Sequence, residues 1–228
     1  MSRPVALVTG ASRGIGAATA RALAPTHDLL LGGRDASALA ELAGSLGSAA
    51  PWPVELTDTD ALAAAVSALD RLDVLVHSAG IAELGALAEA DAGTWRRTFD
   101  VNVVAVAELT RLALPLLRAS RGHVVLINSG AGLRANPGWG VYAASKFALR
   151  AFADALRAEE EDLRVTSVHP GRVDTDMQRG VRAQESGDYQ PHLYLDADSV
   201  ARAVAGAVNA TDDAHVTEIV LRPRTGRS

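Results

Sequence analysis

Tyr142 and Lys146 are the two residues whose types and spacing are best suited to a shared role in proton transfer. If the segment 138–149 is helical, the two positions lie at i and i+4 on one face. A phenol has an ordinary pKa of about 10, and a nearby ammonium group favours its ionised form. Such a tyrosine can give a proton to a carbonyl oxygen or take one from an alcohol. The alternative is a half-buried aromatic residue beside a solvated lysine, which describes most Tyr-x-x-x-Lys pairs.

A glycine-rich segment near the start of the chain predicts a nucleotide site. The apolar run Val5–Val8 is typical of a strand buried on both faces, and it leads into Gly10, Gly14 and Gly16. A helix-like segment follows. Between a strand and a helix, a glycine turn lets backbone N–H groups approach a pyrophosphate, whose charge the helix dipole favours. The glycine spacing differs from the common G-x-G-x-x-G, but the strand–turn–helix setting is the one that a nucleotide site requires.

The end of the second predicted strand, 28–32, favours NADP over NAD. In a dinucleotide-binding fold an acidic residue here binds the ribose 2′-hydroxyl, whereas an arginine suits a 2′-phosphate. Arg34 stands at this position and Arg13 lies in the glycine loop, so two guanidinium groups can hold a phosphate. Alternatively, both are ordinary surface arginines. Asp35 can serve as the N-cap of a helix over 36–46 rather than as a ribose ligand.

Strand and helix patterns alternate along the whole chain. Further strands are predicted at 52–56, 72–77, 122–127, 165–168 and 215–221, and further helices at 61–69, 94–119 and 199–209. This alternation predicts an α/β fold, a single-domain doubly wound Rossmann-type parallel sheet of about seven strands with helices on both faces. The domain is expected to span residues 1–228. The polar segment 178–196 is expected to be an irregular, mobile lid over the site.

Three polar residues stand at positions that this pattern makes informative. Ser129 follows the strand at 122–127, at the carboxyl end where open α/β sheets bind ligands. Asn102 lies inside an apolar helix, where a buried amide needs partners. Either this amide makes a local hydrogen bond, or it holds water beside the active site. His77, at a strand end, is expected to be structural.

Composition excludes several classes of function. The chain has 228 residues, a formal net charge of −5 and no cysteine, which excludes disulfides, Cys-ligated zinc and thiol chemistry. Neither nucleic acid nor a membrane is an expected partner, since no basic excess and no apolar run of about 18 residues is present. The start, Met1–Pro4, lacks a signal-peptide pattern, so a cytoplasmic location is expected. His169, Asp174 and Asp176 are candidate metal ligands, but no second histidine stands at ligand spacing, so no metal is predicted.

These motifs together resemble those of the short-chain dehydrogenase/reductase family, in its shorter single-domain form. The segment Thr9-Gly10-x-x-x-Gly14-x-Gly16 is similar to the cofactor loop of the family, and Pro170-Gly171-x-Val173-x-Thr175 to its nicotinamide-contacting segment. The resemblance covers nearly the whole length. The residues that fall on the family's catalytic tetrad, at its usual Ser-to-Tyr interval, are Asn102, Ser129, Tyr142 and Lys146.

The resemblance implies an NADP(H)-dependent oxidoreductase that interconverts a carbonyl and a secondary alcohol of a small molecule by hydride transfer. Tyr142 would be the general acid and base, and Ser129 would polarise the carbonyl. Lys146 would lower the phenol pKa, bind the nicotinamide ribose and connect through water to Asn102. A homodimer or homotetramer is also implied. The implied cofactor-binding residues are Gly10, Ser12, Arg13, Gly14, Ile15, Gly16, Arg34, Glu55, Leu56, Ala79, Gly80, Tyr142, Lys146, Pro170, Gly171, Val173 and Thr175.

The chain departs from the family pattern at three places, and two other classes of function stay open beside the enzyme. His77-Ser78 replaces the usual Asn-Asn, Glu55 replaces an aspartate near the adenine, and the basic tail Arg222–Ser228 replaces a glycine-rich ending. The tail has no assigned role. One alternative is an NADP-binding redox sensor without turnover, which would have no need for the complete tetrad. The other is a dehalogenating lyase, which would carry arginine in place of Lys146 and lack the glycine loop.

Overall fold

Runs of aliphatic residues form the strands of one sheet, and alanine-rich amphipathic segments form the helices on its faces. The structure is a computed structural model that describes residues 3–224, so the ends of the expected domain and most of the basic tail lie outside the described residues. The strands are β1 (Val5–Thr9), β2 (Asp28–Gly33), β3 (Ala49–Pro53), β4 (Val74–His77), β5 (His123–Ile127), β6 (Arg164–Pro170) and β7 (Glu218–Leu221). The helices are α1 (Gly14–Leu23), α2 (Ala36–Gly44), α3 (Thr59–Ser67), α4 (Ala92–Phe99), α5 (Ala105–Ser120), α6 (Gly140–Glu159), α7 (Asp176–Gln184) and α8 (Ala197–Val208).

The strand order creates the crevice in which a ligand can bind. All seven strands are parallel, in the order β3-β2-β1-β4-β5-β6-β7. The connection after β3 returns to the other side of β1, so the loops after β1 and β4 diverge to opposite faces of the sheet. Such a reversal leaves a cleft at the carboxyl ends of the strands. The predicted doubly wound α/β fold is confirmed.

The sheet is buried on both faces, as the apolar strand runs predict. In β1, Ala6 and Val8 pack into the layer with α1, α2 and α8, whereas Leu7 packs into the layer with α3, α5 and α6. Each fully buried leucine of this kind contributes roughly 1.5–3 kcal/mol relative to an exposed one. The two layers hold the carboxyl ends of the strands in fixed positions.

The third strand differs from its predicted position. It runs from Ala49 to Pro53, not over 52–56. Its exposed prolines, Pro51 and Pro53, are tolerated because β3 is an edge strand, where missing N–H groups leave no ladder bond unmade. Glu55 and Leu56 therefore follow the strand and lie at its carboxyl end.

Two other segments also differ from expectation. The helix predicted at 94–119 is interrupted by a π-helical turn, Asp100–Val104, between α4 and α5. The first part of the expected irregular lid is helical, because α7 begins at Asp176, where the Thr175 hydroxyl caps it by accepting a hydrogen bond from the Gln178 amide at 3.3 Å. Within residues 3–224, no helix is long and apolar enough to cross a membrane.

Candidate active site

A cleft of about 580 Å³ lies at the carboxyl ends of the strands. Every residue predicted to bind the cofactor lines it, from the glycine loop after β1 to the segment after β6. Ser129, Tyr142 and Lys146 line the same cleft, but Asn102 does not. The structure therefore brings the predicted catalytic and cofactor-binding residues to one cavity, with one exception.

Ser129 and Tyr142 both line this cleft. Ser129 directly follows Asn128 at the end of β5 and caps a short 3₁₀ turn, where its Oγ accepts a hydrogen bond from the Ala131 amide at 3.1 Å. Tyr142 lies in the first turn of α6, and its buried phenol is close enough to the Ser129 hydroxyl for that group to act on the pKa of Tyr142. The two oxygen atoms thus form a pair that can share one substrate oxygen between them.

Burial sets the protonation of Tyr142 and Lys146. It raises the pKa of Tyr142, and the hydrogen bond from Ser129 acts in the opposite direction without overcoming it. Burial also lowers the pKa of Lys146 to about 8, while its Nζ donates to the Ile127 carbonyl at 3.0 Å. Lys146 Nζ lies 5.8 Å from the ring centre, and burial is the larger influence on the pKa of the phenol. The expectation that Lys146 lowers this pKa stays a prediction.

Asn102 makes three hydrogen bonds to segments that are distant in the sequence. It lies in the π-helical turn, its Oδ1 accepts from the Ile81 amide at 2.9 Å, and its Nδ2 donates to the Ile81 carbonyl at 2.9 Å and to Ser145 Oγ at 3.1 Å. A Cβ on Gly80 would lie 3.1 Å from Asn102 Oδ1 and 3.9 Å from Lys146 Nζ. The interpretation that this amide holds water beside the site stays a prediction. Asn102 fixes the Gly80–Ile81 backbone that forms one wall of the cleft.

The glycine loop has the close backbone contacts that a phosphate cradle requires. Gly10 and Gly14 have positive φ angles of 65° and 56°. A Cβ on Gly16 would lie 2.2 Å from the Gly10 carbonyl oxygen, and one on Gly10 would lie 2.8 Å from the backbone of Ala79. Arg13 is the N-cap residue of α1, but its side chain makes no capping hydrogen bond. It therefore does not occupy the amide groups of the first turn. The loop therefore fits a pyrophosphate at the start of α1.

The two arginines expected at the ribose each face a carboxylate. Arg34 lies 3.6 Å from Glu55, and Arg13 lies 3.9 Å from Asp176. Both guanidinium groups are largely exposed, at 80% and 75% of the side chain, so these pairs are weak. Burial acts to raise the pKa of Glu55, but hydrogen bonds from Thr57 and then the charge of Arg34 bring it below its usual range.

The segment after β6 and the helix α7 close the other end of the cleft, through contacts that the sequence did not predict. Glu185 accepts two hydrogen bonds from Arg172, at 2.7 and 2.9 Å, one from Arg182 at 2.7 Å, and one from the Trp139 indole at 3.1 Å. Gln184 also accepts from the Leu84 amide at 2.8 Å. The end of α7 is thus tied to the residue before α6 and to the loop after β4.

The histidines have structural contacts. His77 Nε2 is hydrogen-bonded to Thr110 Oγ1 at 2.9 Å, and burial lowers the pKa of His77 to about 3, so the ring is neutral. His169 Nδ1 lies 3.2 Å from the Ser129 carbonyl oxygen. Asp174 is hydrogen-bonded by the Tyr189 hydroxyl, and Asp176 faces Arg13. Within the described part of the chain, no three side chains of metal-ligating type converge.

Three polar residues that the sequence did not single out also line the cleft. Arg134 stands after the 3₁₀ turn, and its amide donates to the Gly130 carbonyl at 3.2 Å. Arg222, which was assigned no role, follows β7 and donates to the His169 carbonyl at 2.8 Å. Gln178 lies in the first turn of α7 and is buried. Of these three, only Gln178 could have been placed from the neighbouring sequence, because Thr175, three residues before it, is a typical N-cap for a helix that starts there.

Comparison with known proteins gives four consistent findings. The sequence model described as short chain dehydrogenase matches residues 4–186. Glycine betaine reductase of Emericella nidulans is 37% identical over 241 positions, which cover 98% of this chain but 19% of that protein, so the chain spans about a fifth of this relative. An alcohol dehydrogenase from Thermococcus sibiricus, complexed with 5-hydroxy-NADP, superposes with a TM-score of 0.89 at 28% identity over 100% of this chain and 99% of that one. A 3-oxoacyl-[acyl-carrier protein] reductase from Brucella melitensis in complex with NAD superposes with a TM-score of 0.82 at 30% identity, over 96% of each chain.

Proposed function

We propose a function from one established premise: this chain belongs to the short-chain dehydrogenase/reductase family. It is an oxidoreductase of that family, whose fold binds a nicotinamide cofactor. The finer proposal is an NADP(H)-dependent enzyme that interconverts a carbonyl and a secondary alcohol of a small molecule. The observation that carries it is that Ser129, Tyr142 and the glycine loop line one cleft, in which Ser129 is close enough to act on the pKa of Tyr142.

The proposed mechanism assigns one task to each polar side chain of this pair. When bound, the cofactor supplies or accepts the hydride. The Ser129 hydroxyl donates a hydrogen bond to the substrate oxygen and orients the carbonyl. The Tyr142 phenol gives its proton to that oxygen in reduction and takes one in oxidation. Its raised pKa keeps the phenol protonated at neutral pH, which favours the acid role.

Lys146 and Asn102 complete the proposed tetrad as positioning groups. The Lys146 ammonium lies buried between the cleft and the end of β5, where it can donate to the nicotinamide ribose. Its lowered pKa, about 8, leaves it mostly charged near neutrality. Asn102 holds the Gly80–Ile81 backbone against which the cofactor would lie.

NADP(H) is proposed as the cofactor because Arg13 and Arg34 both line the cleft. A 2′-phosphate carries more charge than the single carboxylate that faces each guanidinium, and charge-assisted pairing with it is favourable. Of the structures compared above, one carries an NADP derivative and the other NAD, so the family alone leaves both cofactors open. The proposal for NADP(H) rests on these two arginines.

Three further features belong to the proposal. Residues 1–228 form one oxidoreductase domain, and residues 178–196 act as the lid, supported by the pairing of Leu195 with Val173 at one end. A homodimer or homotetramer is supported by Val104 and Phe147, whose apolar side chains are 53% and 42% exposed on neighbouring helical segments. A cytoplasmic location completes it. Light scattering and cell fractionation of the full chain test the last two.

The experiment that tests the function measures NADPH consumption by the purified chain across a panel of aldehydes and ketones, followed by product analysis. The proposal expects formation of an alcohol in step with NADPH consumption. Tight NADPH binding with no turnover of any member would instead support the redox sensor.

A further inference from the structure

The reacting end of the cleft has an excess of unpaired positive charge. Among residues 3–224, five arginines line the cleft. Three of them lie within 4.0 Å of a carboxylate, in the pairs Arg13–Asp176, Arg34–Glu55 and Arg172–Glu185. The remaining two, Arg134 and Arg222, have no carboxylate of the described chain within that distance.

Both unpaired arginines lie near Gly130, the residue that follows Ser129. The Arg134 amide donates to the Gly130 carbonyl at 3.2 Å. On the Cα side of the same residue, a Cβ placed on Gly130 would lie 3.3 Å from a guanidinium nitrogen of Arg222. Because Ser129 carries the hydroxyl that meets Tyr142, Arg222 lies beside the proposed site of reaction rather than at the ribose end.

The contacts of Arg222 leave part of its guanidinium available. One nitrogen, Nη1, donates to the carbonyl oxygens of His169 and Leu221, at 2.8 and 2.9 Å. These bonds fix the plane of the group, and no described contact engages Nη2. A guanidinium that is held by neutral carbonyls keeps its full charge and a set of parallel donors, which is the arrangement that binds a carboxylate.

A buried, unpaired donor lies in the same cleft. Gln178 is 7% exposed, it lines the cleft, and its Nε2 has no hydrogen-bond partner among the described residues. A buried amide nitrogen without a partner costs free energy, so a group that accepts from it would bind favourably. The nearby carboxylates do not fill this need, since Asp176 faces Arg13 and Glu185 is bonded to Arg172 and Arg182.

We propose that the substrate is a carbonyl or hydroxyl compound that bears a carboxylate, and that Arg222 and Arg134, with Gln178 as a further donor, bind that carboxylate. This inference rests on the proposed function, because it names the substrate class of the same site. The two arginines act in binding, and Ser129 and Tyr142 act on the carbonyl. The class comprises oxo acids and the matching hydroxy acids.

The test compares carboxylates with their neutral esters. The probes are 2-, 3-, 4- and 5-oxo acids, each beside its own methyl ester, assayed with NADPH and the full chain. At least one oxo acid is expected to have a kcat/KM about tenfold to a hundredfold above that of its ester, the effect of one or two charge-assisted hydrogen bonds. The KM of the acid, but not of the ester, is expected to rise with ionic strength, because both arginines are solvent-exposed.

The variants Arg222→Met and Arg134→Met are each expected to lower the acid-to-ester ratio of kcat/KM by about tenfold. Arg222→Lys keeps the charge and is expected to restore part of the ratio. The matched control is Arg202→Met on α8, whose guanidinium bonds to Ser199 outside the cleft and whose loss should leave the ratio unchanged. Because Arg222 also fixes the chain after β7, Arg134→Met keeps the test open if Arg222→Met does not fold.

Two results would overturn this inference while leaving the proposed function intact. One is that the esters are reduced as well as or better than every oxo acid. The other is that the acid-to-ester ratio of kcat/KM is equal in the Arg202, Arg134 and Arg222 variants. If no member of either series is reduced, the proposed function fails. Calorimetric titration of the oxo acids into the enzyme–NADP⁺ mixture then still decides the inference. Binding that Arg134→Met weakens supports it, and absence of binding overturns it.

Discussion

Ser129, at the end of a strand, lies close to Tyr142, in the first turn of a helix, and its hydroxyl acts to lower the pKa of the phenol. The two residues come together because the capped turn after β5 holds Ser129 Oγ in place while α6 begins beside it. The pair faces the same cleft as the glycine loop. A substrate oxygen between the two hydroxyls would meet a hydrogen-bond donor and an acid at once, which is the arrangement that carbonyl reduction needs.

Tyr142→Phe is expected to lower turnover by about 10²–10⁴-fold, because the proton donor is lost while the ring still fills its site. NADPH affinity, measured by fluorescence titration, should be nearly unchanged. Ser129→Ala should cause a smaller loss of turnover. The matched control is Ser167→Ala, which removes another buried hydroxyl, on β6 and outside the cleft, and should leave turnover unchanged. Undiminished turnover in Tyr142→Phe would contradict the assignment.

Replacing Arg13 and Arg34 together by alanine is expected to weaken the binding of NADPH far more than the binding of NADH. The physical reason is that only NADPH has a 2′-phosphate for the two guanidinium groups, and each charge-assisted contact is worth roughly tenfold or more in affinity. Dissociation constants for both cofactors, in wild type, in the double variant and in Arg202→Ala as a surface control, give the measurement. Equal losses for the two cofactors would show that the arginines do not select NADP.

Gly16→Ala is expected to destabilise the protein by about 1–3 kcal/mol, because the new Cβ would lie 2.2 Å from the Gly10 carbonyl oxygen and the loop must move. The same movement should weaken NADPH binding. Gly206→Ala in α8 is the matched control, since nothing lies within 4 Å of its Cβ position. It should raise stability by up to about 1 kcal/mol, through helix propensity. Chemical denaturation of both variants checks the prediction, and similar effects at the two positions would be inconsistent with a tight cradle.

Stability is expected to fall as the pH drops below about 6.5. Burial lowers the pKa of His77 and of His123 to about 3 each in the folded chain, whereas an unfolded histidine titrates near 6.5. Between these values the unfolded state binds more protons, so the free energy of unfolding decreases as pH falls, by about 2 kcal/mol per histidine at pH 5. His77→Gln, which can keep the bond to Thr110, should reduce this dependence.

The comparison variant for the pH experiment is His192→Gln, at an exposed position. Unfolding free energies of wild type and both variants from pH 8 to pH 4 give the slopes. A slope in His77→Gln that equals those of wild type and His192→Gln would rule out the neutral buried histidine.

The sequence predicts this fold and most of the site because both depend on local patterns at strand ends. Gly10, Ser129 and Pro170 each follow a buried apolar run or end it, and parallel strands bring their carboxyl ends to one edge. Tyr142 and Lys146 share a helix face for the same local reason. These residues could therefore be assigned without any knowledge of long-range packing.

The remaining features depend on contacts between distant segments. Arg222 reaches Gly130 only because β7 pairs with β6, and nothing in its neighbouring residues indicates that pairing. The π-helical turn holds Asn102, whose amide bonds Ile81 across the cleft wall, but the apolar periodicity of this segment is that of a regular helix. The pKa of Tyr142 depends on how deeply the phenol is buried, which residue spacing does not reveal.

The most direct test of the central claim follows the hydride itself. The enzyme is given a ketone or oxo acid that it reduces, with NADPH deuterated at C4 on either face in separate reactions, and the alcohol is examined by NMR and mass spectrometry. The account predicts deuterium on the carbinol carbon from one of the two cofactors, and a loss of that product in Tyr142→Phe. Product without deuterium from either cofactor, or labelled product formed equally well by Tyr142→Phe, would contradict it.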